Sequence, residues 1–360
     1  FRGTTVRLVV QLWPWIFLLV LIFYFSLAGT GFFSVRSFGS ILTNTTLIML
    51  MALGQTYVII TAGIDLSIGW TVGLASVLAA ILMRDLAGSI GVYQAIFVAI
   101  AGGLAISLIP GLINGLLITK ARIPPFIATI GMFGVVRGVA LLLTDGQNVI
   151  GNIPADVREV LRSVGNGSLL YRLPGEGFTW FSQPENLEAA DLRVLERLMP
   201  YPVLIVAIIV VIFAFILART RFGRHTYAVG DNIEAARRAG INVDRHLIYV
   251  YMLAALCAGM AGVLHVFRFT AGSPVVGEPV LLESVAAVVI GGTSLFGGEG
   301  RISGTVVGAL IIGVVKSGLV SMAVDPVWQF IIVGAIIIFA VLVNQAQEYI
   351  EKQQETRTDE

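Results

Sequence analysis

Few residues in this 360-residue chain have the types and spacing that chemistry at a bound ligand would need. His225, His246 and His265 are scattered, without partners at metal-ligand spacing, so we expect no metal site. The Lys-Ser pair at 316–317 lacks the preceding glycine of a phosphate loop, and the glycines at 298–300 do not form a dinucleotide-binding fingerprint. No nucleophile stands beside a base. We therefore expect no catalytic residue and no bound cofactor.

Polar residues on long apolar segments form a second group of candidates, because such residues are costly inside a membrane. Asp65 either borders the path of a solute or caps the helix that begins near Leu66. Uncharged polar side chains can hydrogen-bond a polar solute or a neighbouring helix, and both interpretations stay open. The uncharged candidates are Asn44, Gln55, Asn114 and Thr129.

Three further ionisable residues have simpler interpretations. Arg137 and Lys316 lie within about two turns of the predicted outer ends of their segments, so we expect their charged groups to reach the interface. Glu283 begins a segment near the outer surface and needs no special function.

The composition shows what must position these residues. The chain is 57% hydrophobic and 12% charged, whereas soluble domains are about 45–50% apolar and about 25% charged. We therefore predict an all-α integral membrane protein with one domain over residues 1–360. The net charge of +1 gives no indication of nucleic-acid binding, and the single cysteine, Cys257, excludes an intramolecular disulfide.

About ten apolar segments are long enough to be membrane spans. Segment 8–28 has no small-residue cleavage pattern, so we expect a retained helix rather than a signal peptide. The predicted spans are 8–28, 40–62, 66–83, 90–109, 124–143, 201–218, 247–267, 281–297, 303–322 and 327–346.

Glycine and proline predict three breaks in these spans, at 63–69, 110–115 and 291–300. Irregular backbone at membrane depth is tolerated where protein buries it or where it lines a cavity. We therefore predict broken or re-entrant segments beside a pathway; tight turns and close packing are the simpler alternative. Glycines at small-xxx-small spacing favour close helix packing within the chain over a dimer face.

Basic residues predict the orientation. Loop 219–246 and the turn 119–123 are basic, and segment 144–200 is acidic. The positive-inside rule then places the first two and both termini in the cytoplasm, and 144–200 outside. Within 144–200, the sequence at 182–185 resembles a capping box and predicts an amphipathic helix after it. The tail 347–360 is polar.

The polar stretch 230–240 interrupts this apolar pattern inside loop 219–246. Asp231 and Glu234 have capping-box spacing, alanines favour a helix, and Gly240 suits its end. A helix of about eight residues is marginal in water and must dock on a partner or on its own bundle.

These residues also carry a family resemblance. The sequence 234–240 resembles the EAA-x-x-x-G cytoplasmic loop of bacterial ABC importer permeases, and its surroundings are similar to ribose-type monosaccharide permeases. The Ile-x-Leu-Pro that continues the general loop pattern is absent here, and 144–200 is longer than in the shorter members. Further matching stretches, in the family's order, are Leu53-Gly54-Gln55-Thr56, Gly63-Ile64-Asp65-Leu66-Ser67, Pro124-Pro125-Phe126-Ile127-Ala128-Thr129 and Gly291-Gly292-Thr293-Ser294-Leu295-Phe296-Gly297-Gly298.

The resemblance implies a permease subunit in a bacterial plasma membrane that imports a monosaccharide or related polyol. It implies an ATP-binding partner that holds ATP and magnesium, an extracytoplasmic sugar-binding protein and a second permease subunit, identical or related. It also adds Phe126 to the expected pathway. The residues that would couple to the ATPase are Gly230, Asp231, Asn232, Glu234, Ala235, Ala236, Arg237, Arg238 and Gly240.

Three alternatives remain. An ion-coupled secondary transporter would be expected to have paired intramembrane carboxylates, and Asp65 alone is weak support. A permease for nucleosides or branched-chain amino acids would share the same architecture. An intramembrane enzyme lacks a catalytic set.

Overall fold

The computed structural model describes residues 2–149, 153–173, 177–181, 183, 194–325, 327–336, 338–339 and 341–342. The helices are α1 (Arg2–Ala28), α2 (Val35–Ile60), α3 (Ile68–Ile90), α4 (Val92–Thr119), α5 (Pro125–Leu142), α6 (Ala155–Gly165), α7 (Tyr201–Arg219), α8 (Arg221–Asp231), α9 (Ile233–Arg238), α10 (Val243–Phe269), α11 (Glu278–Ile290), α12 (Ile302–Ser321) and α13 (Val327–Ile336). Three short strands are β1 (Leu170–Leu173), β2 (Gly177–Trp180) and β3 (Glu196–Arg197).

The helices confirm an all-α integral membrane fold. Seven of them, in the part of the chain that the structure describes, are long and apolar enough to cross a membrane: α2, α3, α4, α5, α7, α10 and α12. The apolar part of α1, Leu12–Ala28, and helix α13 are shorter. The predicted span 281–297 is wrong as one helix, because α11 ends at Ile290 and glycine-rich backbone follows.

Helices α2 and α10 form the centre of the bundle. Every residue of α2 from Thr45 to Ile60 is buried. Helix α10 brings small side chains to the same core, and a Cβ on Gly54 would lie 2.8 Å from the Cα of Ala254. Packing of this kind needs small residues, because van der Waals contact between helices drives association in lipid.

The predicted break at Pro110 is wrong, because α4 runs without interruption from Val92 to Thr119. A proline is tolerated inside a membrane helix where neighbouring helices support the freed backbone group. A Cβ on Gly111 would lie 2.7 Å from the Tyr251 carbonyl oxygen of α10, and one on Gly115 would lie 2.7 Å from the Cα of Ile248. These glycines therefore serve close packing of α4 on α10 within the chain.

An irregular segment packs on α3 at residues 270–277. A Cβ on Gly272 would lie 2.7 Å from the Ala80 Cβ of α3, and the Ser273 N–H donates to Ser76 Oγ at 3.2 Å. Five residues further on, the Gly277 carbonyl oxygen lies 2.8 Å from the ideal Cβ position of Gly69. The segment thus runs back along α3 towards its first turn before α11 begins.

The segment 144–200 contains structure that sequence reasoning missed. Helix α6 is followed by an antiparallel sheet in the order β2-β1-β3. The capping box at 182–185 and the amphipathic helix predicted after it lie largely outside the described residues, as does the tail 347–360.

Candidate functional site

The turn between α2 and α3, residues 61–67, collects polar side chains from several helices. Gln55 of α2 donates from Nε2 to the Asp65 carbonyl oxygen at 2.6 Å. Thr129 of α5 donates from Oγ1 to the Ile64 carbonyl oxygen at 3.1 Å. The backbone of this turn is not part of a helix, so its carbonyl groups need such donors when they are buried. Three predicted pathway residues therefore meet at one place.

Asp65 itself holds the start of α3. Its Oδ1 accepts hydrogen bonds from the Ser67 N–H at 2.8 Å and from Ser67 Oγ at 2.6 Å. Asn114 of α4 donates from Nδ2 to the same Ser67 Oγ at 2.9 Å. Asp65 is 1% exposed and fixes the turn that leads into α3, whose cap position is Ser67 rather than Asp65.

Several polar groups around this turn have no hydrogen-bond partner among the described residues. They are Gln55 Oε1, Asn114 Oδ1 and the Tyr251 hydroxyl, and all three are buried. Tyr251 of α10 borders the turn, because a Cβ on Gly63 would lie 2.5 Å from its hydroxyl oxygen. Buried polar groups of this kind are costly when unpaired, so the site is chemically suited to a polar guest.

Of the other two predicted pathway residues, Asn44 lies apart from this turn and Phe126 has an exposed side chain. Asn44 Oδ1 accepts a hydrogen bond from Arg268 Nη2 of α10 at 2.9 Å, well along α2 from Gln55. Phe126, at the start of α5, is 51% exposed.

The charged residues of the spans also differ from expectation. Lys316 Nζ lies 2.7 Å from Glu283 Oε1, and the Glu283 side chain is only 8% exposed. This partly buried ion pair joins α11 to α12 and gives Lys316 a partner that the sequence did not reveal. The guanidinium of Arg137 lies over the Trp70 ring, 5.0 Å from its centroid, instead of reaching the outer end of α5.

The polar stretch 230–240 contains the end of α8 and all of α9. The cap of α9 is Asn232, whose Oδ1 accepts from the Ala235 N–H at 2.9 Å; the expected cap, Asp231, is the last residue of α8. Gly240 ends the helix with φ of 83°, and the Ile241 N–H donates to the Ala236 carbonyl at 3.0 Å. This is the glycine-terminated helix end that the sequence predicted.

One face of α9 is exposed and the other packs on the chain. Ala236 is 3% exposed and packs with Val229 and Val243. The Glu234 side chain is 71% exposed and lies 3.8 Å from Arg237, so it is available to a partner. Ala235 and Arg238 are exposed as well.

An ion-pair network joins α9 to the basic turn after α4. Asp244 Oδ1 lies 3.4 Å from Arg237 Nη2, and Asp244 Oδ2 lies 3.2 Å from Lys120 Nζ. The sequence assigned loop 219–246 and turn 119–123 to the same side of the membrane, and they are in contact.

Helix α8 connects this surface to two irregular turns. The Ile60 carbonyl at the end of α2 accepts from the Gly298 N–H at 2.9 Å, in the turn between α11 and α12, residues 291–301. Gly230 packs so closely on this junction that a Cβ would clash with the Ile60 carbonyl and lie 2.7 Å from the Gly298 nitrogen. Both turns therefore meet on α8.

Tyr227 adds a directional contact from α8. Its hydroxyl donates to the Gly300 carbonyl at 2.7 Å. Burial raises the pKa of Tyr227, so the phenol keeps the proton that it donates.

Sequence reasoning missed two residues in this arrangement. Tyr227 was missed because α8 was not predicted. Ile233, 42% exposed on the polar helix α9, was a visible signal, since an exposed apolar residue there suits a protein contact.

Comparisons with known proteins show the family to which the chain belongs. Residues 37–341 match the family model described as "Branched-chain amino acid transport system / permease component". The ribose import permease protein RbsC of Escherichia coli (strain K12) is 36% identical over 92% of each chain. The fructose import permease protein FrcC of Rhizobium meliloti is 36% identical over 92% of this chain and 83% of its own length. The xylose transport system permease protein XylH of Haemophilus influenzae is 32% identical over 91% of this chain and 94% of its own length.

No solved structure matches the chain. The family model covers most of the chain, and these relatives are more than 30% identical to it over most of their own length. The chain belongs to the permease-component family of bacterial transport systems, alongside the sugar import permeases.

Proposed function

We propose that the chain forms the translocation pathway of an ATP-driven importer for a monosaccharide or related polyol. The relatives are named as permeases for ribose, fructose and xylose, which supports this class of solute. The observation that carries the coupling part of the proposal is the contact of α8 with both irregular turns through Gly230 and Tyr227.

The exposed face of α9 is the surface that the partner ATPase would contact. This face presents Ile233, Glu234 and Arg238, and the buried face of α9 is fixed to the bundle by Ala236. A partner ATPase that binds this face differently in two states would bias the position of α8. Because α8 contacts both turns, its movement would reach the polar cluster at 61–67.

The proposed coupling residues have different structural roles. Gly230 packs α8 on the two turns, Asn232 caps α9, and Gly240 ends α9. Glu234 is exposed and can contact the partner. The remaining proposed coupling residues are Asp231, Ala235, Ala236, Arg237 and Arg238. Gln55, Asp65, Asn114 and Thr129 are proposed for the inner part of the pathway, with Asn44 and Phe126 farther from it.

The proposal includes its partners. The chain would sit in a bacterial plasma membrane with both termini in the cytoplasm, beside a second identical or related permease. ATP and magnesium would bind the ATPase subunits, and an extracytoplasmic protein would deliver the solute to the side that carries α6 and the small sheet.

A branched-chain amino acid permease is the second candidate, because the family description names that system. Uptake of labelled ribose, fructose, xylose and leucine by the assembled transporter separates the two. Import of leucine without any sugar would contradict a monosaccharide importer.

The coupling proposal is tested with Glu234→Arg. Reversal of an exposed charge on α9 should leave the spans folded, but we expect ATPase co-purification and sugar uptake to fall at least several-fold. Glu159→Arg on α6 is the matched control, since it makes the same charge change on the opposite side in the predicted topology. Wild-type co-purification and uptake in Glu234→Arg would exclude this contact.

A further inference from the structure

The exposed face of α5 contains a charged residue where lipid contact would be unfavourable. Arg137 is exposed on a helix whose neighbouring surface residues, Val135 and Val139, are apolar. Gly134 and Gly138 lie beside it, and a Cβ at either position would meet open space. This arrangement leaves a shallow recess around one cation.

The guanidinium lies near the middle of α5. Helical side chains point towards the N-terminus of their helix, and the Arg137 guanidinium lies over Trp70, whose ring is 6.0 Å from that of Phe133. Phe133 lies about 12 Å from the Pro125 end of α5, which is itself about 26 Å long, at 1.5 Å per residue. The charge therefore points into the depth of the membrane, away from the outer end.

The guanidinium also has unused donors. Apart from Trp70, no hydrogen-bond acceptor or carboxylate contacts it among the residues that the structure describes. Arginine has five N–H donors in a planar fork, and it stays charged under all relevant conditions. An unpaired arginine at this depth is costly in lipid, so its face is expected to meet water or a polar group.

We propose that this face of α5 lines the aqueous pathway and that Arg137 donates hydrogen bonds to hydroxyl groups of the sugar as it passes. This inference rests on the proposed function, and it adds a residue that directly contacts the solute. Two adjacent sugar hydroxyls match the planar fork, and stacking on the buried Trp70 ring holds the fork in one orientation. The flanking glycines leave room for the solute.

Cysteine labelling tests the environment of this face. The single native cysteine, Cys257, is buried and gives a low background. We expect Arg137→Cys to react with a charged, membrane-impermeant thiosulfonate. The matched control is Val211→Cys, 67% exposed near the middle of α7, which should remain unlabelled in lipid. No labelling at 137, or equal labelling at 211, would overturn the aqueous assignment.

Protection by the solute tests the contact. Labelling of Gly138→Cys, which lies in the same recess and keeps Arg137, should slow at least several-fold during turnover with sugar-loaded binding protein, compared with sugar-free binding protein. Equal rates would overturn the sugar contact. Because labelling without sugar needs no transport, it still reports an aqueous face if the wild type imports no sugar and the proposed function fails.

Transport provides an independent measurement. Arg137→Gln should lower sugar uptake about ten-fold or more, while stimulation of the ATPase by loaded binding protein persists, because α8 and α9 are unchanged. Arg137→Lys, which keeps the charge but loses the planar fork, should recover only part of the uptake. Wild-type uptake in Arg137→Gln would contradict the proposal.

Discussion

The α2–α3 turn and the α11–α12 turn both interrupt apolar segments, but different groups hold them in place. Side chains from α2 and α5 donate to the carbonyl groups of the first turn, and Asp65 and Asn114 fix Ser67 at its end. The second turn receives one such donor, the Tyr227 hydroxyl of α8, and otherwise relies on the backbone conformation of its glycines. Its glycines at positive φ are Gly292, Gly297, Gly298 and Gly300.

This difference indicates different roles. A buried network with several side-chain bonds specifies one geometry and is costly to disturb. A glycine-rich turn has few side chains to repack, and its contacts to Ile60 and Tyr227 transmit the position of α8. We therefore expect the first turn to determine stability and the second to determine coupling.

Gly230→Val should have the largest effect, because Gly230 touches the junction of the two turns. The added side chain would clash with the Ile60 carbonyl, and overpacking of this kind costs about 3 kcal/mol or more. We expect a lower thermal unfolding midpoint and loss of ATPase binding. Gly88→Ala is the control, since a Cβ there meets open space. Wild-type unfolding in Gly230→Val would show that the junction is loosely packed.

Asn114→Leu should have the next largest effect and should act on stability. It keeps a similar volume but removes the donor to Ser67 Oγ, at a cost of about 2 kcal/mol for the unsatisfied buried network. The ATPase stimulation of the molecules that remain folded should persist. Thr119→Val on the same helix is the control, because among the described residues that hydroxyl bonds only within α4. Uncoupling without a stability loss would reverse the roles of the two turns.

Tyr227→Phe should cost about 1 kcal/mol of stability, as a single neutral hydrogen bond does, but it should lower the amount of sugar imported per ATP hydrolysed. The reason is loss of the bond from α8 to the Gly300 carbonyl. Tyr249→Phe is the matched control on an exposed tyrosine whose hydroxyl contacts only Arg245 among the described residues. An unchanged import-to-hydrolysis ratio would remove Tyr227 from the coupling route.

Much of the fold was predictable from hydropathy. Long apolar runs identified α2, α3, α4, α5, α7, α10 and α12, because a helix is the only simple way to satisfy the backbone in lipid. The ends were predicted less well, since α3 continues to Ile90 and α4 to Thr119, beyond the predicted ends at 83 and 109. The predictions failed where tertiary packing determines whether a helix continues or ends. Pro110 does not break α4, and the short helix α11 is preceded by a segment that packs on α3.

The candidate site was predictable only as a set of residue types. Costly polar residues pointed to Gln55, Asp65 and Asn114, and the fold brings these together. The pairing of Asn44 with Arg268 and of Lys316 with Glu283 depends on helix rotation, which one sequence does not reveal. The cap of α9 was misplaced by one residue, since Asp231 and Asn232 are equally good caps by type.

The irregular segment 270–277 also has a consequence for biogenesis. It is irregular and lies against α3, so a membrane insertion machinery that selects apolar helices has little reason to retain it on its own. Helix α3 is synthesised long before it, and Gly69 and Gly73 leave the groove that the segment fills. Insertion of this region must therefore be templated by earlier helices, and a bulky residue at Gly73 would act as an assembly defect in the newly made chain rather than as a defect of the finished transporter.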